Sequence, residues 1–565
     1  MRPSFIPFRF TLRLRALIPH HSSPNRALVS LLALFFLITL PPAATALEPG
    51  SSAPDFQLNN LAGATVSLVA SSENNIRILY FFDVEDESLA TLHVFFETTS
   101  ENADIVSLCA VSRENPEKLN TLLADNKALE TLLLHDDRGI TFAYGLTRKL
   151  PAAVIIAPGG IVGGIIAPVP DAGDVLMATA EAFLTIGQPL SARRLYFAMP
   201  RKRIAGAQIK LGIAYASILA GDDAGALRTL KSLADETPSM SSEVHAASAF
   251  LAFLRGENSN ALGTCRQAPN SGFARYLEGA VKAATDRCDE SAALFEKATH
   301  GPFIFEWQEA LAFNMAAKTA ETNNDDERAL GLYKRAFSLA PLNPVIEANL
   351  LAYHWGRNNI PAATAYAETI DSAEPENPLI NVLLNEFAAD VAFSKDKAAQ
   401  SRLERMLVAH PKRRRGTGNA RDGTPHTVLV SDIAVMSCAP HMNFLPVGCA
   451  AVVKRNLESA AGIVTVKRAE SSFVRKRLGF SEIAYKDPVR MAQVARKLEA
   501  DFLVFGEMGN YKGEYILNLR LADVFSGEVI AITAERFSTL GDLIPALERS
   551  AQQLVRNLAV HRDGQ

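Results

Sequence analysis

The middle of this chain repeats itself, and no other feature narrows its fold as far. When the segment from Ala329 to Pro344 is shifted by 34 positions, Ala329 falls on Ala363, Ala336 on Ile370 and Pro341 on Pro375. Asn343-Pro344 then falls on Asn377-Pro378. Looser copies surround this pair. One holds Leu211, Gly212, Tyr215, Ala226, Leu230 and Pro238; another holds Tyr276, Leu277, Gly279, Ala293 and Ala298; a last one runs from Leu379 to Pro411. A fixed period of this length means a stack of supersecondary units, each with an apolar face that only its neighbour can cover.

The residue types fit paired antiparallel helices. Small residues such as Gly212, Ala329 and Ala363 let two helices approach, while Tyr215 and Tyr333 fill the space between pairs. Pro341 and Pro375 stop the second helix, because proline has no N–H to donate. On these residues the stretch 190–411 resembles the tetratricopeptide (TPR) family, with about five or six repeats. The resemblance implies an all-α solenoid whose groove binds a partner protein or peptide. The motif residues themselves are packing residues.

The amino-terminal 46 residues are of another kind. Arg2, Arg9, Arg13, Arg15 and Arg26 form an acid-free basic lead, followed by an apolar run from Ala27 to Leu40, Pro41-Pro42 and Ala44-Thr45-Ala46. These are the parts of a secretory signal, with cleavage expected between Ala46 and Leu47. The apolar run is shorter than the roughly 20 residues that span a bilayer, so a retained anchor is the weaker alternative. Export places the mature protein in the periplasm, soluble or at most peripherally membrane-bound, with outer-membrane association as a variant. A net charge of −4 over 565 residues argues against nucleic-acid binding through a general basic surface.

Residues 47–187 alternate strands and helices. Gly50, Ala53-Pro54-Asp55-Phe56 and Leu58 open the stretch; Ile76–Phe82 and Asp104–Val111 are buried-strand runs; Tyr144-Gly145-Leu146 leads to Pro151-Ala-Ala-Val154-Ile-Ile-Ala-Pro158-Gly159-Gly160. This resembles the thioredoxin-like fold of the TlpA-type and AhpC/TSA redoxins. The resemblance makes Pro151 the candidate cis-proline beside the redox site. It also puts the reactive cysteine after the first core strand, where this chain has Phe82-Asp83-Val84-Glu85-Asp86-Glu87-Ser88-Leu89. Asp86 and Leu89 stand where a thiol is expected. A reactive thiolate needs an electropositive setting, and four of these eight residues are acidic. Cys109, the only cysteine of the stretch, lies in an apolar strand and is expected to be buried and inert.

The run 412–424 is basic and glycine-rich and is expected to be a flexible linker. Beyond it, 425–562 alternates again. Strands are expected at Thr427–Val435, Ile463–Arg468, Asp501–Glu507, Tyr515–Asp523 and Val529–Thr533, with helices at Val447–Ser459, Pro488–Glu499 and Asp542–Leu558. The stretch Ala500–Glu507 with Tyr515–Ile530 resembles the small α/β domain, with a mixed sheet, of TolB amino-terminal regions and CsgG-like envelope proteins. That implies docking or assembly. Cys438 and Cys449 flank a loop and are a candidate disulfide in an oxidising compartment, with Cys265 and Cys288 a second candidate pair.

The expected fold class is therefore multidomain: thioredoxin-like α/β, all-α TPR solenoid, then small α/β domain with mixed sheet. No Walker loop, G-x-S-x-G elbow or H-E-x-x-H helix occurs. No catalytic, cofactor-binding or metal-binding residue is assigned and no cofactor is expected. The expected role is a periplasmic interaction scaffold, with other envelope proteins docking on 425–562. Two alternatives are a redoxin-type oxidoreductase or peroxidase, and a secretion or outer-membrane assembly accessory.

Overall fold

The computed structural model of the chain describes residues 47–68, 75–125, 127–169, 171–199, 206–373, 377–408, 425–436, 441–481, 485–511 and 514–563. The expected signal up to Ala46, the linker 412–424, Pro375 and Cys438 lie outside the described residues.

The first domain is built on strands apolar on both faces. A small ribbon, β1 (Gln57–Asn59) with β2 (Thr65–Ser67), precedes β3 (Ile76–Phe81), all six of whose residues are buried. Then follow α1 (Asp86–Ser100), β4 (Val106–Ser112), α2 (Pro116–Asp125), β5 (Leu133–His135), α3 (Ile140–Ala143), β6 (Ala152–Ile156), β7 (Val162–Ile166) and α4 (Ala172–Thr185). The sheet order is β5-β4-β3-β6-β7, with β3, β4 and β5 parallel and β6 and β7 antiparallel. Side chains alternate across β3. Ile76, Ile78 and Tyr80 pack toward α1 and α4, whereas Leu79 and Phe81 pack with Phe56, Cys109 and Tyr144 on the other face.

The apolar cluster under α1 and α4 does not stop at this domain. It runs on through Tyr196, Tyr215, Phe250 and Phe273 to Trp307. These residues belong to a long helical region: α5 (Pro189–Ala198), α6 (Gly206–Leu219), α7 (Asp223–Glu236), α8 (Ser241–Leu254), α9 (Asn258–Cys265), α10 (Gly272–Ala284), α11 (Cys288–Ala298), α12 (Glu306–Thr322), α13 (Asp326–Leu339), α14 (Pro344–Gly356), α15 (Ile360–Ser372), α16 (Pro378–Lys395) and α17 (Lys397–Val408). The periodic residues serve packing. Ala329, Tyr333, Ala336, Ala363 and Ile370 are fully buried. A Cβ on Gly212 would stand 2.5 Å from Tyr196 Cζ. The repeated Asn-Pro pairs start helices: Asn343 Oδ1 accepts from Val345 N at 3.1 Å, Asn377 Oδ1 from Leu379 N at 3.0 Å, and each proline takes the first helical turn.

The last domain holds β8 (His426–Val435), α18 (Leu445–Glu458), β9 (Ile463–Thr465), α19 (Arg468–Arg477), α20 (Pro488–Lys497), β10 (Phe502–Tyr511), β11 (Glu514–Asp523), β12 (Val529–Phe537) and α21 (Leu543–Asp563). The mixed sheet runs β12-β11-β10-β8-β9, parallel only where β8 meets β10 and β9. The strand expected at Ile463–Arg468 is shorter, because the chain turns at Arg468 into a helix that sequence reading missed. Arg468 pairs with the nearly buried Asp432 of β8, and its guanidinium lies over the Tyr485 ring. One core joins this domain to the helices before it: Leu379, Ile380, Leu383 and Phe387 of α16 pack with Leu445, Cys449, Val452 and Val453 of α18.

Candidate functional site

The redoxin-like position forms where β3 ends and α1 begins. Asp83, Val84 and Glu85 span the gap, and Glu85 stands at the helix N-cap without capping it. Asp86 and Glu87 occupy the first turn, where carboxylates complement the helix dipole. Arg113 lies 3.8 Å from Asp83, a half-exposed pair. Leu89, one turn in, packs partly buried against the sheet core, and the Leu150–Pro151 peptide is cis. A thiol here would be beside carboxylates, which oppose thiolate formation. Cys109 is 7% exposed in β4, and burial pushes its thiol pKa up. Among the described residues no three His, Cys, Asp or Glu side chains converge as a metal site would need.

A second polar constellation lies between the helical region and the last domain, and sequence reading did not find it. Asn314 of α12 and Asn349 of α14 both donate to the His441 carbonyl, at 3.2 and 2.8 Å. Asn349 Oδ1 accepts the Asn443 N–H at 2.9 Å, so one side chain reads a carbonyl and an N–H two residues apart. The Asn443 amide donates to Glu321 Oε2 at 3.1 Å, and Tyr333 OH donates to the same oxygen at 3.0 Å. Arg357 closes the network on Glu321 Oε1 at 3.1 Å. Burial and the nearby Lys318 push the His441 pKa down to about 4. The segment is thus held as a peptide backbone by helix asparagines. The signal for it was present: Asn314 and Asn349 are polar residues on otherwise apolar helices, close to one repeat period apart.

A third junction binds the first domain to the helices. Glu181 of α4 accepts the Glu306 N–H at 3.0 Å, capping α12 from a distant element. Burial, then the charge of Glu306, pushes its pKa up to about 8. Gly50 and Gly163 meet Phe337 and Leu342 so closely that a Cβ on either would clash.

The cysteine expectations need correction. Cys449 is a free thiol, so the Cys438–Cys449 bond is not made. Its side chain points into the core between α18 and the sheet, and burial pushes its pKa up to about 12. Cys265 is also free and buried, whereas Cys288 is disulfide-bonded, so those two are not paired with each other.

Comparison with known proteins gives one family match and several structural neighbours. The AhpC/TSA family matches residues 49–165. An exposed lipoprotein thioredoxin from Streptococcus pneumoniae is 19% identical, with 23% of this chain aligned to 99% of that one at a TM-score of 0.21. A thioredoxin-family thiol:disulfide interchange protein from Chlorobium tepidum is 15% identical, over 24% of this chain and 98% of its own, at 0.22. The LpoB C-terminal domain from Salmonella enterica is 18% identical, over 25% and 95%, at 0.18. No curated protein matches the chain. Residues 49–165 are a thioredoxin-like domain of the AhpC/TSA family.

Proposed function

We propose that this protein is an interaction scaffold of the bacterial cell envelope, exported to the periplasm, in which a TPR-type array binds partners beside a redoxin domain that runs no redox chemistry. The observation that carries the proposal is the replacement of the expected nucleophile by the run Asp83–Glu87, while Cys109 stays buried in β4. A thiol peroxidase or disulfide exchanger needs an exposed, activated thiolate. The fused cores fit a rigid carrier, since separate catalytic modules do not need a common interior. The TolB/CsgG-like reading of 425–562 gives that carrier a docking domain.

The asparagine ladder on α12 and α14 refines the scaffold. The face of α12 and α14 that carries Asn314 and Asn349 is engaged by the chain's own His441–Asn443. Partner binding is therefore assigned to other surfaces of the array. The test is photo-crosslinking in cells, with the crosslinker placed at exposed Phe197 and at Ile532 on the β12 edge. The scaffold reading expects discrete envelope-protein adducts at one of them. Turnover of peroxide or of a protein disulfide by the full chain overturns it in favour of an enzyme. Adducts confined to outer-membrane assembly machinery support the accessory role instead.

A further inference from the structure

We infer that the groove between α5 and α7 docks an acidic amphipathic segment of a partner protein, an inference that rests on the scaffold role and names its surface.

A cavity of about 620 Å³ opens where α5 and α7 flank α6. Its floor includes the buried Ile213, and its wall carries Leu190 and Phe197, which are 59% and 57% exposed. These two lie seven residues apart on α5, so they share a face about 10 Å apart. That is the spacing at which a partner helix presents successive anchors. The volume suits a few apolar side chains rather than a folded domain.

The rim is cationic. Arg193, Arg194 and Arg228 line the cavity, against one carboxylate, Asp222. Asp222 is already committed: it caps α7 through Gly225 N at 2.9 Å and pairs with Arg193 at 2.9 Å. Arg228 is exposed and acts on Asp222 only through its charge, without a close ion pair among the described residues. Arg194 holds Asp104 in a bidentate pair whose side chains are 48% and 64% exposed. Such a pair is solvent-screened, and its guanidinium can take a second carboxylate at small cost. An apolar slot under a guanidinium rim selects apolar anchors flanked by Asp or Glu, and charge complementarity disfavours a basic segment.

The experiment uses the full chain and three labelled helical peptides, read by fluorescence anisotropy. One has a leucine face and a glutamate face, one has lysine for glutamate, and one has serine for leucine. The leucine–glutamate peptide is expected to bind, more weakly as salt rises, and the other two are not. Phe197→Ser and Arg228→Glu should each weaken it about tenfold or more, with Arg228→Gln intermediate. Leu254→Ser, an exposed site outside the groove, should change nothing. Circular dichroism and Tm establish that each variant folds. Equal binding of the acidic and basic peptides, or no effect of Arg228→Gln, overturns the inference. So does self-association of the chain that Arg228→Glu abolishes, since the occupant is then a second copy. Cellular adducts at Ile532 with none at Phe197 remove this site while leaving the scaffold role standing.

Discussion

Glu347 is a carboxylic acid in the wrong place, and its titration is measurable. It sits in α14, 4% exposed, and its Oε1 has no hydrogen-bond partner among the described residues. Burial pushes its pKa from 4.5 up to about 8. Tyr366, the ionisable neighbour across the helix pair, is itself pushed up by burial and by Glu347. His354 on the same helix stacks on Tyr366 and is pushed down. The folded chain thus keeps the Glu347 proton at neutral pH while the unfolded chain gives it up. With the folded pKa above the unfolded one, the stability this group supports is complete below about 4.5 and falls as pH rises toward about 8. The slope is about 1.4 kcal/mol per pH unit, so the fall between about pH 5.5 and 7.5 is about 3 kcal/mol. Glu347→Gln keeps the shape and removes the titration. Its stability relative to the parent should therefore rise by about that amount over the interval, whatever its absolute value. Urea unfolding followed by fluorescence reads this locally, because Trp355 lies on the same helix and is one of only two tryptophans in the chain. Effects of His354 cancel in the difference between the two proteins unless the groups are coupled. A stability difference that does not change with pH would refute the buried, protonated carboxyl.

Other expectations follow from named contacts. Asn349→Ala removes the bonds to the His441 carbonyl and the Asn443 N–H, so it should destabilise the chain by about 2–3 kcal/mol and speed hydrogen exchange through α18; unchanged exchange there would remove the latch. Gly212→Ala drives a methyl into the Tyr196 ring and should cost about 1–3 kcal/mol, recovered in part by Tyr196→Leu. Cys109, Cys265 and Cys449 should resist a thiol reagent in the native chain and react on unfolding, at a rate set by opening; rapid native labelling of Cys109 would revive a redox role.

The fold was legible wherever one periodicity ran unopposed. The step from Ala329 to Ala363 located paired helices, and the mostly apolar β3 and β4, interrupted only by Arg77, Ser107 and Ser112, announced a sheet covered on both faces. The strand expected through Arg468 failed for a tertiary reason. Its pairing with β8 ends at Thr465, although Val466 continues the β-branched run, and the ion pair with Asp432 and the Tyr485 ring hold Arg468 at a helix start. The disulfide expectation failed similarly. Loop spacing set Cys438 near Cys449, but spacing carries no information about which way a helix faces, and α18 turns Cys449 inward. The polar junctions were hidden because their partners are far apart in sequence. Asn349 and Asn443 lie 94 residues apart, and Glu181 and Glu306 lie 125 apart.

Those hidden contacts change what the repeat means. A repeat read alone offers an open face to a foreign peptide. Here Asn314 and Asn349 hold the chain's own His441–Asn443, and the helices share interiors with a domain at each end. These helices commit that face to internal order, and the docking is apolar as well as polar: Phe444 and Leu445 follow His441–Asn443 directly into the core. Burying two such side chains contributes about 3–6 kcal/mol, of the same order as the polar ladder's own bonds. The ladder sets register, and ladder and apolar core together set strength. A foreign ligand entering there must displace both, whereas one entering between α5 and α7 displaces neither. Of these two faces, the groove between α5 and α7 is the one a ligand can enter with less to displace.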